Sequence, residues 1–294
     1  MNRLSKYTLL LAVGLCIFGV IFLAVGAGFG GLNFLSSKNL DSTSLSSSDK
    51  QYQMPKTKID DFNQLEIDTS YMDVSIRPSE DDSCYLSYNI TGNESANPFQ
   101  YKIDNGTLSI KEDHSAESHF FVGIDYSSLA NLFTGRTIVT EETDSVTLWL
   151  PSKKQYTATA ISSEDGDISI EGLNVQQFSL KTSYGDVAIK NSSLGNVTFY
   201  SSDGDLSCEN TSFSGSCAFD LTYGEAAFTL VDSQKTVLSL SLETNYGEIS
   251  VTDKLSKGAS IGYEDDAITT YQKTGSSPDN YLSITCDDGD IDLK

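Results

Sequence analysis

Apolar and polar residues alternate along most of this chain, and the alternation restarts around a short phrase built on a glycine. An acid follows the glycine in every clear copy of the phrase. The six glycines are Gly166, Gly185, Gly204, Gly224, Gly247 and Gly289. The first four steps between them are 19, 19, 20 and 23 residues, a period that is typical of stacked β architectures.

Fixed positions before and after each glycine are apolar, which predicts two half-buried strand arms in every unit. The column five residues before the glycine contains Ile161, Leu180, Phe199, Phe219, Leu242 and Ile284. The column two residues after it contains Ile168, Val187, Leu206, Ala226, Ile249 and Ile291. A third apolar position follows nine residues after the glycine, at Val175, Leu194 and Phe213. Three inward-facing stretches per unit favour an all-β solenoid over a meander or a sandwich.

Incomplete copies of the phrase extend the repeat to nine units. Met72 takes the glycine position in the first unit. A second is centred on Gly106, with Phe99, Tyr101, Leu108 and Ile110 as its apolar arms. A third, centred on Asp266 with Ala259, Ile261 and Ile268, fills the 42-residue gap between Gly247 and Gly289. Glycine between two strand arms marks a tight corner, although Asp-Gly can also close an antiparallel hairpin.

The N-terminus predicts one transmembrane helix. Residues 7–35 contain no charged side chain and are long enough to cross a bilayer. Arg3 and Lys6 precede this segment, so the tail 1–6 is expected in the cytoplasm and the rest outside the cell membrane. A cleaved signal peptide and a lipoprotein signal at Cys16 are the alternatives. A Ser-rich linker, 36–57, then leads to the repeat domain, 58–294.

The formal net charge of -22 argues against nucleic acid as a partner, because binding it requires Lys and Arg against the phosphates. Cys84, Cys208, Cys217 and Cys286 have neither zinc-site spacing nor paired histidines. We expect them to be small buried apolar residues. The two histidines, His114 and His119, match no hydrolase or metalloprotease motif, and no phosphate-binding loop is present. We therefore expect no catalytic residues and no organic cofactor.

The acids that follow the glycines form a column that offers two interpretations. Their carboxylates could accept hydrogen bonds from turn amides, or they could be bridged by cations, for which calcium is the natural choice. The calcium candidates are Asp167, Asp186, Asp205, Glu225, Glu248 and Asp290.

The residue before each glycine is either Tyr or Asp. Tyr184, Tyr223 and Tyr246 are candidates for ligand binding, because aromatic side chains recur at recognition surfaces. A structural ladder that shields the turn is the alternative. Residues 113–144 interrupt the repeat, either as a covering loop or as a functional insertion.

The strand SVTLWLP, the phrase SEDGDI and the recurring Gly-acid-aliphatic turns resemble a bacterial putative-adhesin family of β-strand-repeat domains, over about residues 58–294. The resemblance implies a right-handed β-solenoid exposed on the cell envelope, a domain of unknown function with no catalytic residues to transfer. It favours a membrane-anchored, non-enzymatic module that binds a surface protein or a glycan, or that has a structural role in the envelope.

Two alternatives stay open. One is an accessory protein that senses envelope stress together with a membrane partner. The other is a carbohydrate-active enzyme on a β-helix scaffold, which would need Arg136 or Lys181 beside paired carboxylates in a groove.

Overall fold

The computed structural model describes residues 49–93, 97–112, 144–252, 255, 257–277 and 279–294. The predicted tail, the membrane segment 7–35 and nearly all of the region 113–144 lie outside these residues. Among the residues described, no helix has both the length and the apolar character needed to cross a membrane. The anchor therefore stays a prediction from the sequence.

The described ranges contain 22 β-strands, built from alternating segments rich in β-branched and aromatic residues. The first eleven are β1 (Asp49–Ile59), β2 (Gln64–Thr69), β3 (Asp73–Pro78), β4 (Cys84–Asn93), β5 (Phe99–Asp104), β6 (Thr107–Glu112), β7 (Ser145–Leu150), β8 (Tyr156–Ser163), β9 (Ile168–Glu171), β10 (Asn174–Thr182) and β11 (Val187–Lys190). The others are β12 (Ser193–Gly195), β13 (Val197–Ser201), β14 (Leu206–Ser214), β15 (Ser216–Tyr223), β16 (Ala226–Leu230), β17 (Ser239–Tyr246), β18 (Ile249–Val251), β19 (Ser260–Glu264), β20 (Ala267–Lys273), β21 (Tyr281–Asp288) and β22 (Ile291–Leu293).

Most strands belong to two parallel ladders. The first ladder runs β6, β2, β8, β10, β13, β15, β21, β17. The second runs β7, β3, β9, β11, β14, β16, β22, β18. Each layer takes one strand from each ladder, which gives eight layers about 4.8 Å apart. The short strand β12 pairs with the start of β10 and the end of β14 and forms a third side.

The layers at both ends are stacked out of chain order. The layer β21–β22 lies between β15–β16 and β17–β18, although it comes last in the sequence. At the other end, β2–β3 lies between β6–β7 and β8–β9. The layers carry equivalent apolar columns, so the columns alone do not fix the order of the layers. The central layers, from β8–β9 to β15–β16, follow the sequence.

The interior is filled by the predicted apolar columns. Leu180, Phe199 and Phe219 have at most 1% of their surface exposed. The third side also points inward, because Val175, Leu194 and Phe213 are buried and Leu194 pairs with both of the others. The prediction of three inward-facing stretches is therefore confirmed for these layers. The all-β, solenoid-like class is confirmed as well.

Two of the nine predicted units are antiparallel hairpins and not turns of the stack. Strands β5 and β6 are joined by Asn105 and Gly106, with φ of 50° and 78°. Strands β19 and β20 are joined by Asp265 and Asp266, with φ of 51° and 71°. Two consecutive positive φ values are the signature of a type I′ hairpin turn. Tyr101, predicted to face inward, is 41% exposed because β5 pairs with β6 at the outer end of the first ladder.

The last part of the predicted linker, from Asp49, forms a β-strand in the structure. Strand β1 starts at Asp49 and pairs antiparallel with β4, so the end of the predicted linker is ordered as a strand. Tyr52 and Met54 pack against the core, which explains the ordering. The sequence did not predict this strand, because the alternation of Tyr52 and Met54 with Gln51 and Gln53 is too short to be distinguished from the Ser-rich segment before it.

The four cysteines of the domain are buried and free, as predicted. Burial raises the pKa of Cys286 to about 12, because the thiolate is poorly solvated inside the stack. These thiols pack as small apolar side chains.

Candidate functional site

The repeat glycines stack on one another at one corner of the domain, which we call the glycine corner. From one end to the other, it contains Met72, Gly166, Gly185, Gly204, Gly224, Gly289 and Gly247. A Cβ atom added to Gly185 would lie 2.5 Å from the carbonyl oxygen of Gly166. One added to Gly204 would lie closer still to the carbonyl oxygen of Gly185. The corner also needs φ values of +98° at Gly185 and +122° at Gly204, which side chains disfavour.

The acids that follow these positions form what we call the acid ladder: Asp73, Asp167, Asp186, Asp205, Glu225, Asp290 and Glu248. The backbone N–H of Asp186 donates to Oδ1 of Asp167 at 2.9 Å, and that of Asp205 donates to Oδ1 of Asp186 at 2.9 Å. The same bond joins Asp167 to Asp73, Glu225 to Asp205 and Glu248 to Asp290. The structure thus shows the first interpretation of the acid column, in which carboxylates accept hydrogen bonds from turn amides.

The six calcium candidates all lie on the acid ladder. The ladder points one oxygen of each bonded aspartate at an amide, whereas a calcium ion gathers about six to eight oxygens around one point. In the part of the chain that the structure describes, no group of three or more His, Cys, Asp or Glu side chains is placed to hold a metal ion. Calcium binding therefore stays a prediction to be tested.

The residues that immediately precede the corner positions alternate strictly between Tyr and Asp from one layer to the next. We call this row the tyrosine edge, and its order is Tyr71, Asp165, Tyr184, Asp203, Tyr223, Asp288 and Tyr246. In the sequence Tyr246 follows Tyr223 directly as the next member of the column. In the structure Asp288 pairs with both of these tyrosines, because the layer β21–β22 lies between theirs. The out-of-order layer restores the alternation.

The tyrosine edge is exposed to solvent. Tyr184 is 58% exposed, Tyr223 55% and Tyr246 79%, and the aspartates between them are exposed too. Seven layers span about 29 Å, with one tyrosine every 9.6 Å or so. No basic residue occupies any position of the tyrosine edge or the acid ladder. The three predicted ligand candidates therefore lie together on one long acidic surface.

Tyr200 is a further exposed aromatic residue that the column analysis did not single out. It lies on β13, four residues before Gly204, and is 41% exposed. A hydrogen bond from Ser202 lowers its pKa. Its layer carries Asp203 on the tyrosine edge, so three successive layers each present one tyrosine: Tyr184, Tyr200 and Tyr223. Comparing the column four residues before each glycine would have found it.

The region 113–143 leaves and rejoins the domain at the end of the glycine corner. Glu112 accepts hydrogen bonds through Oε2 from the backbone N–H of Ser70 at 2.6 Å and from that of Tyr71 at 3.2 Å. The backbone N–H of Asp73 donates to the carbonyl oxygen of Asp144 at 2.9 Å. Burial raises the pKa of the Asp144 carboxyl. Both junctions of the predicted insertion therefore lie beside the first tyrosine of the edge.

A second polar cluster lies away from this edge. Lys154 contacts the Asp61 carboxylate and the Phe62 carbonyl oxygen, and Cys84 Sγ lies 3.9 Å from Tyr156 Oη. Hydrogen bonding to Lys154 lowers the pKa of Asp61, while burial raises the pKa of Cys84. Burial therefore disfavours the reactive thiolate form of Cys84.

Of the two basic residues considered for an enzymatic site, the structure describes Lys181 but not Arg136. Lys181 is exposed on β10 and is paired in register with Tyr200 and Ser162, and not with a pair of carboxylates. Arg136 lies outside the described residues.

The fold and this corner define a class: a solenoid-like, all-β repeat domain with a stacked turn carrying glycine and acid. The model of the family called Toastrack DUF4097 matches residues 62–266, which is 205 of the 294 residues. The chain therefore belongs to the Toastrack DUF4097 family, a domain family of unknown function. The predicted family resemblance is confirmed.

Two solved structures are similar to this chain. A putative cell adhesion protein from Clostridium sporogenes is 15% identical, with a TM-score of 0.43 over 84% of this chain and 99% of that one. A putative adhesin from Bacteroides fragilis is 12% identical, with a TM-score of 0.36 over 83% of this chain and 97% of that one. Neither likeness is close enough to support an inference about binding. No curated protein sequence matches this chain significantly.

Proposed function

We propose that this protein is a membrane-anchored, extracytoplasmic interaction module without catalytic activity, and that the tyrosine edge is its binding surface. One observation carries the proposal: the exposed tyrosines and aspartates alternate along seven layers, even where the chain order would have broken the alternation. A regular, exposed aromatic row suits recognition of an extended ligand.

A purely structural role accounts less well for these tyrosines. The corner is already held by close glycine packing and by the bonds of the acid ladder. A ladder of rings that shielded the turn would be covered by its neighbours, whereas Tyr246 is 79% exposed. Large exposed aromatic side chains in a row are typical of binding surfaces.

Catalysis has less support than binding. A lyase on a β-helix would place a basic side chain beside paired carboxylates, whereas Lys181 is exposed with Tyr200 and Ser162 as its register partners. The cysteines described in the domain are buried, so none of them presents an accessible nucleophile. The acidic surface and the aromatic row together fit recognition better than bond cleavage.

The test is a binding screen with the full chain in lipid nanodiscs, against a glycan array and purified envelope fractions. The edge variant is Tyr184→Ser/Tyr223→Ser/Tyr246→Ser. The matched control is Tyr101→Ser/Tyr263→Ser, which removes two exposed tyrosines that lie off the edge. We expect a ligand whose binding falls at least about tenfold in the edge variant and stays unchanged in the control. Equal binding by both variants would exclude the edge as the surface.

The location is tested separately. Protease added to intact spheroplasts should degrade the domain and spare cytoplasmic marker proteins. Protection of the domain until the membrane is lysed would place it inside the cell and overturn this part of the proposal.

A further inference from the structure

The spacing of the tyrosine edge constrains the shape of its ligand. Tyrosines recur at every second layer, at Tyr71, Tyr184, Tyr223 and Tyr246, so their spacing is about 9.6 Å. A polyproline II helix has three residues per turn and rises about 3.1 Å per residue, so one turn advances about 9.3 Å. Every third residue of such a helix lies on the same face. The mismatch over the three intervals of the edge sums to about 1 Å, which side-chain rotation accommodates.

An extended β-strand does not fit this spacing. Its side chains return to the same face every two residues, about 6.8 Å apart, or every four, about 13.6 Å apart. Neither distance matches the tyrosine spacing. Aromatic grooves are also the usual docking surface for polyproline II segments, because the helix is preformed and loses little entropy on binding.

The negative charge of the tyrosine edge and the acid ladder favours a basic ligand among those that repeat about every 9.6 Å. The tyrosine edge contributes three aspartates and the acid ladder seven further acids, with no basic residue in either row. A neutral sugar chain would leave these carboxylates without counter-charge. A helix with Lys or Arg at every third position would instead place one cation per turn along the acid ladder and its prolines against the tyrosine rings.

Building on the proposed function, we infer that the tyrosine edge binds a proline-rich, basic peptide segment in the polyproline II conformation. Prolines on one face of the helix pack on Tyr184, Tyr223 and their neighbours. Basic side chains on the adjacent face reach the acid ladder. The ligand lies along the stack, parallel to the row of corners.

The experiment measures binding of fluorescent peptides to the full chain in nanodiscs by anisotropy. The periodic probe repeats the tripeptide Pro-Pro-Lys four times. The matched block peptide has eight prolines followed by four lysines, so it keeps the composition and charge without the three-residue repeat. We expect the periodic peptide to bind at least about fivefold more tightly than the block peptide. Raising NaCl from about 50 to about 500 mM, which spans the screening range, should weaken it strongly.

Protein variants locate the site. Tyr184→Ala/Tyr223→Ala should lower the affinity for the periodic peptide at least about tenfold, and Tyr101→Ala/Tyr263→Ala should change it less than about twofold. Circular dichroism of each variant checks folding. Asp203→Asn, which keeps the size of an exposed residue between two edge tyrosines, should weaken binding without altering the core.

The outcomes separate the two proposals. Equal affinity for the periodic and block peptides would overturn the helical repeat, and a loss in the Tyr184→Ala/Tyr223→Ala variant would still support the edge as a binding surface. Unchanged affinity in that variant would overturn the peptide site, and the ligand screen with the Tyr184→Ser/Tyr223→Ser/Tyr246→Ser variant would then decide whether the edge binds another ligand. Binding of a β-1,4-linked hexasaccharide through the same tyrosines, without peptide binding, would show a glycan ligand and refute the peptide. Absence of peptide binding would also refute it.

Discussion

The glycine corner and a second corner of the same layers solve one geometric problem in two ways. The second corner, here called the asparagine corner, consists of Gly172, Asn191 and Asn210. Both asparagines have positive φ, 50° and 49°, and Asn210 Nδ2 donates to Asn191 Oδ1 at 2.8 Å. A Cβ atom at Gly172 would meet its nearest neighbour at 3.5 Å, an ordinary contact. At the asparagine corner there is room for side chains.

The difference shows why only one corner is visible as a repeated phrase. At the glycine corner the backbone of one layer lies against the carbonyl oxygen of the next, so a side chain has no space. At the asparagine corner the requirement is only a left-handed backbone, which Asn tolerates with a hydrogen bond to its neighbour. Because no side chain fits at the glycine corner, glycine recurs there in almost every layer, and the repeat is visible in the sequence.

The largest effect is expected when a side chain is forced into the glycine corner. Gly204→Ala should lower the free energy of unfolding by about 3 kcal/mol or more, because it adds both backbone strain and overlap with the Gly185 carbonyl. The matched control is Gly106→Ala, at a hairpin tip with φ of +78° and nothing within 4 Å of the added carbon. It should cost about 1 kcal/mol. Urea unfolding followed by the fluorescence of Trp149 measures both, and equal costs would contradict a closed corner.

The acid ladder should contribute less than the glycines. Asp205→Ala removes the acceptor for the Glu225 backbone N–H, now at 2.8 Å, and should cost about 1 kcal/mol. Asp205→Asn keeps an acceptor oxygen and removes one of several neighbouring like charges. It should leave the stability unchanged or raise it slightly at low salt. If the two variants unfolded at the same urea concentration, the hydrogen bond would not be the stabilising element.

An exchange between the corners should be asymmetric. Asn191→Gly relieves the backbone but loses the exposed side-chain bonds with Asn210 and Glu171, so its unfolding free energy should stay within about 0.5 kcal/mol of the wild type. Gly204→Asn should be as harmful as Gly204→Ala. A costly Asn191→Gly, measured in the same urea titration, would mean that the asparagine corner depends on its side chains more than its geometry indicates.

The smallest effect is expected from calcium. Because the ladder bonds already direct the aspartate oxygens at amides, adding calcium or a chelator should shift the melting temperature by less than about 1 °C. Differential scanning calorimetry of the full chain in nanodiscs, with magnesium as the matched ion, is the measurement. A large stabilisation by calcium alone would assign Asp167, Asp186, Asp205 and their neighbours to a cation site.

The sequence predicted the arms of each layer well, because burial on one strand face leaves a period that can be counted. Phe199 and Phe219 lie where their columns place them. It did not predict which layers are neighbours, since all layers carry equivalent apolar columns. One signal was available: the Tyr and Asp alternation breaks at Tyr246, and it is restored only if Asp288 lies between Tyr223 and Tyr246.

The two hairpins were misread for a related reason. Their apolar positions fit the columns around Gly106 and Asp266, yet an acid follows neither in the way that it follows the clear glycines. Gly106 is instead preceded by Asn, a pair typical of type I′ turns. For the candidate site, the sequence showed that Tyr184 belongs to a column of Tyr and Asp residues. It could not show that the side chain is exposed, because exposure depends on how the layers stack.

The out-of-order layers separate the order of synthesis from the order of assembly. The layer β17–β18 emerges from the ribosome before β21–β22, which occupies the place between it and β15–β16. A simple solenoid can grow by adding each new turn to the last one. Here a later layer must be inserted between two earlier ones. Strand β17 can pair antiparallel with β20 as soon as that strand is made, but β17 and β18 lack their parallel neighbours until residues 281–293 are available. Completion of this end of the stack therefore waits for strands β21 and β22.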